Sequence, residues 1–362
     1  MTRDEILAGW AATDFLTPER ADFLEKLFGD LETAFFKIDA EILKKNGVPT
    51  RSANVFCQKR DRTNPAEIWE KCQKVGAKIL FFRDKNFPEL LKKIDGAPAI
   101  LFFRGQNLKK DEKCFAVVGT RKISNAGKIA TEKIVPPLVR AGLTIVSGLA
   151  RGVDAAAHRA TVAAGGRTIA VLGNGIDDIY PPENRGLARN LLENGGTILS
   201  EFPPGAPPNA FHFPRRNRIV SGLSLGALIV EGAEKSGSLI TAQLALDQNR
   251  EVFAIPGAPN APFSRGPNRL IQSGAAKLTL DADDILAELP LEKIDSQNAV
   301  KKAVPTDATE KKVFELLTDE PQLFDEIIRK SDLPAATFSA TLTILEMKGF
   351  AVNFSGNFWA RR

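Results

Sequence analysis

Cys114-Phe115-Ala116-Val117-Val118-Gly119-Thr120-Arg121 is the stretch on which the reading of this chain turns. Five apolar residues end in a glycine and a polar turn, and a helical pattern follows over 125–141. Thr144-Ile145-Val146-Ser147-Gly148 then repeats the apolar run and its glycine. Strand, turn, helix and strand in that order make one βα unit, and the unit recurs. Further strands are read at Thr168–Gly173, Thr197–Glu201, Leu225–Glu231, Glu251–Pro256 and Lys277–Leu280. Helical segments fall near 154–164, 183–194, 214–222, 238–248, 267–273 and 282–289. Continuous apolar strands such as Ala227-Leu228-Ile229-Val230 fit a sheet covered on both faces. Alternating βα units need right-handed crossovers, so the fold class is α/β with a doubly wound, mainly parallel sheet. Pro136-Pro137 is expected to kink the first of these helices.

Upstream, Lys78-Ile79-Leu80-Phe81-Phe82 and Ile100-Leu101-Phe102-Phe103 read as strands around a short helix begun by Asn86-Phe87-Pro88, an extension of the same sheet. Residues 1–76 read as a small helical domain. Thr17-Pro18 and Asn64-Pro65 are helix starts with an N-cap followed by proline at the first helical position. Downstream, 290–305 carries prolines and charges without apolar periodicity and reads as a linker. In 306–362, Thr309–Leu317, Phe324–Ser331 and Ala335–Lys348 are helical patterns. A hairpin around Ser355-Gly356 completes the outline of a winged helix. This last module has nine acidic residues against seven basic ones, a net −2, and its third helix has one basic residue, at its end. An acidic face is a poor major-groove reader, so the module is expected to contact protein or to regulate.

The 362 residues are 43% hydrophobic and 26% charged, the balance of a globular protein of more than one domain. A net charge of +5, with pI near 9.0, is compatible with an anionic partner without requiring one. Cys57, Cys72 and Cys114 form no C-x-x-C pair and no even framework, and read as reduced, mostly packing thiols. The charged start Met1-Thr2-Arg3-Asp4-Glu5 and the absence of any apolar run of membrane-spanning length lead to an expectation of a cytoplasmic protein.

In a doubly wound sheet, ligands bind where the strands end. Those ends are Gly119-Thr120-Arg121, Ser147-Gly148-Leu149-Ala150-Arg151-Gly152-Val153-Asp154, Gly173-Asn174-Gly175 and Glu231-Gly232-Ala233-Glu234-Lys235-Ser236-Gly237-Ser238. Each brings backbone N–H groups close to a ligand oxygen and opens a helix whose N-terminus favours an anion. Arg121, Arg151 and Lys235 add charge, as does the run Pro214-Arg215-Arg216-Asn217-Arg218. Arg216 and Arg218 cannot both face a ligand from one regular helix, so at least one of them is read as a structural ion-pair partner. The edge as a whole is read as a phosphate site. It has no G-x-x-x-x-G-K-[ST] run, no G-x-G-x-x-G at the first turn and no ribose-binding acid, which disfavours a P-loop or dinucleotide site. Catalytic equipment is thin. His158 and His212 lie in no metal spacing, and His158 is read as packing or capping. Asp154 is read as capping its helix and Glu231 as fixing the Lys235–Ser238 loop. Phe211 and Phe213 are candidate base-stackers or core residues.

At these turns the sequence resembles the DprA/Smf family of DNA-processing proteins. The matching stretches are Val118–Arg121, Ser147–Asp154 with His158, Thr168–Asp177, Tyr180-Pro181 with Asn184, and Leu199–Pro203. They continue through Phe213–Arg218 with Ser221–Leu223, Glu231 with Ser236–Thr241, Pro256-Gly257, and Gly266–Ile271 with Gly274-Ala275. Phe87-Pro88 and Leu101–Gly105 extend the match, which covers about 77–289. The resemblance implies an extended Rossmann-like domain at 77–289, a SAM-like helical domain at 1–76 and a winged helix at 306–362. It implies a non-enzymatic single-stranded DNA binder without cofactor or metal. Such a protein acts as a homodimer and loads the RecA recombinase onto DNA taken up in natural transformation. It assigns DNA contacts to Gly119, Thr120, Arg121, Ser147, Gly148, Arg215, Arg216, Asn217, Arg218, Ser236, Gly237 and Ser238. Arg151 and Lys235 join them from the reading of the strand ends, and Leu270-Ile271 matches a dimerisation region. Many relatives have a basic residue after Tyr-Pro, where this chain has Pro182, which removes one expected phosphate contact. The competing reading is an enzyme on nucleotide monophosphates of the phosphoribohydrolase kind, although no P-G-G-x-G-T-x-x-E loop is present. A purely structural scaffold is the third.

Overall fold

The computed structural model of the chain describes residues 1–109, 112–290, 307–318, 321–348, 350–354 and 357–361. The chain divides into two compact units, Met1–Glu292 and Lys293–Arg362.

The first unit is built on a nine-stranded sheet: β1 (Lys78–Phe81), β2 (Ile100–Gly105), β3 (Cys114–Val118), β4 (Thr144–Ser147), β5 (Thr168–Leu172), β6 (Thr197–Ser200), β7 (Ser224–Ile229), β8 (Glu251–Ala254) and β9 (Lys277–Leu278). The spatial order is β1-β2-β6-β5-β4-β3-β7-β8-β9. From β6 to β9 every pairing is parallel, and the two early strands add an antiparallel edge. From β3 the chain winds outward through β4, β5 and β6, then returns to the other side of β3 with β7. The connections leaving β3 and β7 therefore diverge, and a crevice opens at their carboxyl ends, the switch point of a doubly wound sheet.

Burial on both faces explains the unbroken apolar strands. One side of the central strands β3, β4, β7 and β8 packs on α8 (Asn125–Arg140), α9 (Val153–Ala163) and α14 (Asp283–Leu286), through Phe115, Val117, Ile134, Leu138, Val153 and Ile285. Alternate residues such as Ala116, Val118 and Ile229 pack on α7 (Glu89–Lys92), α11 (His212–Gly222) and α12 (Gly237–Asp247), among Leu91, Ile219, Ala242 and Ala245. α10 (Arg185–Glu193) and α13 (Arg265–Gln272) complete the layers. α8 contains Pro136 and Pro137 in its last two turns.

Six helices precede the sheet: α1 (Arg3–Thr13), α2 (Pro18–Phe28), α3 (Leu31–Lys37), α4 (Ala40–Lys45), α5 (Thr50–Asp61) and α6 (Pro65–Lys74). Thr17 and Asn64 cap α2 and α6 through their side chains, each followed by proline, as read from the sequence. The core of these helices, with Trp10, Leu24, Phe35 and Phe56, is continuous with Ile79, Phe81, Phe102 and Ile198 of the sheet. Apolar continuity is joined by charge, since Arg83 pairs with Asp22 and Glu25 of α2.

The second unit is a winged helix. α15 (Ala308–Leu316), α16 (Phe324–Arg329) and α17 (Ala335–Met347) pack Val313, Ile327, Phe338, Leu342 and Leu345 together. Strands β10 (Gln322–Leu323), β11 (Ala351–Phe354) and β12 (Phe358–Arg361) form an antiparallel sheet in the order β10-β12-β11. The two-residue β10 is an addition to the sequence reading. The linker placed at 290–305 lies, apart from residue 290, outside the described residues, as does the Ser355-Gly356 turn.

Candidate functional site

The crevice at the switch point is a cleft of about 570 Å³, within the range of small-molecule sites. Three strand ends and the start of α11 form it. From β3 come Val118, Gly119 and Arg121. From β4 come Gly148, Ala150 and Asp154. From α11 come Phe213, Arg216 and Asn217, and from the start of α12 come Ser236, Gly237 and Ser238.

Backbone contact locks the first two turns together. Thr120 donates its N–H to the Glu231 carbonyl at 2.7 Å, and its own carbonyl accepts the Val153 N–H at 3.1 Å. Gly152 makes this approach possible. Its φ is +76°, and a Cβ there would stand 2.1 Å from the Thr120 oxygen, so only glycine fits. Arg121 is thereby left exposed at the mouth, with its guanidinium carbon 5.4 Å from the centre of the Phe213 ring. Tyr180 stands 5.8 Å from the same ring. An arginine over an aromatic face suits a phosphate beside a stacked base.

Arg216 is the floor. It is 5% exposed and donates Nη1 to the carbonyls of Gly148, at 2.8 Å, and Val171. A Cβ at Gly148 would lie 2.5 Å from its Nη2, so a side chain there would displace the guanidinium from this position. Burial pulls the Arg216 pKa down to about 10, while the Asp154 carboxylate opposes that shift. The group remains a cation at neutral pH. Burial pushes the Asp154 carboxyl up, opposed by Arg216 and by the N–H groups of Ala150 and Gly148. Asp154 accepts those two N–H groups at 3.4 and 3.1 Å. It therefore braces the preceding turn, where we expected it to cap its helix. The N-cap is Gly152, and Asp154 sits two residues further on, in the first turn, pointing back.

At the far wall, Ser236 caps α12 by accepting the Ser238 N–H at 3.3 Å, and the two hydroxyls are 2.8 Å apart. A helix start and two hydroxyls thus face Arg121 and Arg216, an arrangement suited to an anion.

The other expected residues are placed differently. Ser147 is buried behind the cleft, its hydroxyl on the Val117 carbonyl at 2.7 Å. The Thr120 hydroxyl is turned inward to the Lys122 N–H at 3.1 Å. Arg215 pairs with Asp14 at 2.7 Å and with Glu201 at 3.1 Å, and Arg218 pairs with Glu201 at 2.6 Å. Neither lines the cleft, so one guanidinium of the three supplies its charge. Arg151 pairs with Glu183 on the shoulder beside Tyr180 and Pro181. Lys235 is exposed on the loop before Ser236. Phe211 is 82% exposed, whereas Phe213 forms part of the wall. Leu270 and Ile271 are partly buried against the α11–α12 side of the sheet.

Glu231 corrects the sequence reading. Its carboxylate accepts the Ser124 hydroxyl and the Ser124 N–H, the latter at 2.9 Å, so it anchors the start of α8 and not the Lys235–Ser238 loop. The reason is topological: the strand next to β7 is β3, whose connection begins α8. His158 is a core residue, fully buried, with Nδ1 2.7 Å from the Thr168 hydroxyl. Burial, then the charges of Arg216 and Arg159, lowers its pKa to about 3. His212 stacks on Phe202 with ring centres 4.0 Å apart. Pro208, Ala210 and Ile240 also line the cleft and were not anticipated. The Pro-rich loop after β6 was the available signal for the first two. Among the described residues there is no cluster of His, Cys, Asp and Glu able to hold a metal, and no helix long and apolar enough to cross a membrane.

Comparison with known proteins decides the family. Residues 78–290 match the family model described as DNA recombination-mediator protein A, and 297–357 match the DprA winged helix domain. The chain belongs to the DprA/Smf family. Among its relatives is Protein Smf of Synechocystis, 32% identical over 98% of this chain and 97% of that one. DprA of Streptococcus pneumoniae, known from an X-ray structure, is 36% identical with a TM-score of 0.66, over 81% of this chain and 99% of that chain. A Helicobacter pylori DprA structure, described as giving insight into a unique single-stranded DNA binding mode, is 29% identical with a TM-score of 0.52. That match covers 58% of this chain and 94% of the other. The DprA/Smf architecture of helical region, mainly parallel sheet and winged helix is therefore the architecture of this chain.

Proposed function

We propose that this DprA/Smf member binds single-stranded DNA in the switch-point cleft and acts as a recombination mediator. The observation that carries the reading is the convergence of Arg121, buried Arg216 and the Ser236–Ser238 helix start around the Phe213 ring. Two cations and a helix start hold phosphate, and an aromatic wall accepts any base, which is how single strands are held without sequence preference. The finer roles follow from family membership. The protein protects incoming DNA and loads RecA onto it in natural transformation, working in the cytoplasm as a homodimer through the Leu270-Ile271 face. Gly119, Gly148, Asn217 and Gly237 shape the cleft, while Arg151 and Lys235 lie at its margins, where a longer strand passes.

Comparing labelled single strands with duplex of the same length tests the binding. We expect the single strand to bind more tightly and Arg121→Ala to weaken every sequence by a similar factor. Equal loss for duplex and single strand would reject the cleft as a single-strand site. Leu270→Arg is expected to convert a dimer to a monomer in sedimentation.

The rival reading, hydrolysis of nucleotide monophosphates, needs a free acid at the cleft. Glu231 is the acid it would use, and both of its oxygens are engaged by Ser124. Release of free base from AMP, lost in Glu231→Gln, would favour that reading instead.

A further inference from the structure

The helical part of the first unit carries a surface that the cleft does not use. α5 turns Ala53 and Phe56 inward, with the Phe56 ring centre 4.4 Å from that of Phe15 and 5.7 Å from that of Trp10. Arg60 lies on the same inner side and donates to the Ile38 carbonyl. At about 100° per residue, Arg51, Val55, Gln58 and Arg62 fall on the opposite side, flanked by Ser52, Asn54 and Lys59. All seven are exposed, Val55 at 44%.

The chemistry of this face is one-sided. It offers three cations, three hydrogen-bonding side chains and one small apolar group, with a single acid, Asp61, at its margin. That acid is paired with Arg60 at 2.7 Å. Arg51, Lys59 and Arg62 have no acidic partner among the described residues. An ordinary solvated helix mixes its signs, as α6 does when Lys74 pairs with Glu70 at 2.7 Å. Unneutralised arginine and lysine interleaved with Ser, Asn and Gln are the side chains that contact phosphate and sugar in nucleic-acid complexes. α17 offers the contrast, since the lysine that follows it, Lys348, is held by Glu310 at 2.6 Å.

The face is also within reach of the cleft. Arg215, two residues beyond Phe213, pairs with Asp14 at the end of α1. Phe15 follows Asp14 and touches Phe56 of α5. The thickness of α1 and α5, about 20–25 Å at 10–12 Å per helix, separates the cleft from the outer side of α5.

We infer that the outward face of α5 is a second nucleic-acid surface, which takes the sugar-phosphate backbone of a strand after it leaves the cleft. The inference rests on the cleft holding single-stranded DNA. Arg51, Lys59 and Arg62 neutralise phosphates, and Ser52, Asn54 and Gln58 donate to phosphate or base oxygens. The helical part then lengthens the footprint on one strand, and the two surfaces act as linked sites with high effective concentration.

The test uses the full-length chain carrying Arg51→Gln, Lys59→Gln and Arg62→Gln together. Binding is measured across a salt series with two single strands, one short enough to fill only the cleft and one several times longer. We expect unchanged affinity for the short strand and roughly tenfold weaker binding of the long one. The slope of log K against log salt on the long strand should become shallower by about 2, from three phosphates at ~0.7 each. All three side chains are exposed, so an unchanged melting temperature verifies the fold. An unchanged long-strand slope overturns the inference and leaves the face to an acidic protein partner. Failure of the cleft reading looks different: the short strand then fails to bind the wild-type chain, while the long-strand comparison still reports on α5.

Discussion

At the residue scale, two buried groups behind the cleft set the clearest expectations. Arg216 and Asp154 face each other in the interior, each with backbone partners of its own. Removing one member of such a pair strands the other, at a cost of about 3–5 kcal/mol. Arg216→Met is therefore expected to lower chemical stability by that order and to abolish single-strand binding. Adding Asp154→Asn should restore much of the stability and none of the binding, which separates the two roles in denaturant melts and binding assays. His158 gives a pH signature. Its folded pKa, about 3, lies below the ordinary 6.5, so the unfolded chain takes up a proton first as pH falls. Stability present above pH 6.5 is lost through the window from 6.5 down to about 3. Between pH 7 and pH 5 the loss is about 2 kcal/mol for one such group. The raised pKa of Asp154 acts in the opposite sense. His158→Gln should flatten the pH 5–7 part of the stability profile.

The element scale shows what a sequence discloses about such a fold. The parallel strands were legible because burial on both faces forces unbroken apolar runs, and the turns because each ends in glycine. Arg215, Arg216 and Arg218 were not separable in advance. Their roles depend on the phase of α11 against the sheet and on Glu201 and Asp14 lying nearby, and neither is a local property of the sequence. The partner of Glu231 was misread for a related reason. Local loop proximity favoured Ser236–Ser238, whereas strand order sets Ser124 beside it. β10 escaped notice because two residues carry no periodicity. The Glu231–Ser124 contact also yields a prediction. Glu231→Ala leaves the start of α8 without its carboxylate and is expected to cost about 1–3 kcal/mol. It should also loosen the turn that presents Arg121, seen as weaker strand binding and faster amide exchange over 120–127.

At the scale of the whole molecule, the cleft belongs entirely to the first unit, and the winged helix has a core of its own. A chain ending at residue 292 is therefore expected to fold and to hold a short single strand as tightly as the full protein. A large loss of affinity on truncation would mean that the winged helix contributes contacts to the DNA. The basic balance of the chain, +5 overall, is carried by the first unit, since residues 293–362 have ten basic and ten acidic residues and net zero. Long-range attraction of a polyanion, and its sensitivity to salt, should therefore reside in residues 1–292.

The central claim is that the switch-point cleft holds the phosphates of a DNA strand. The most direct measurement is the affinity of a short single strand across a salt series, for the wild-type chain and for Arg121→Ala. We predict a wild-type slope of log K against log salt steeper than about −1, set by the two or three phosphates that the cleft can neutralise. We predict that Arg121→Ala makes the slope shallower by roughly 0.7 and weakens binding whatever the base sequence. An affinity that does not change with salt, or that is the same with and without Arg121, would contradict the account.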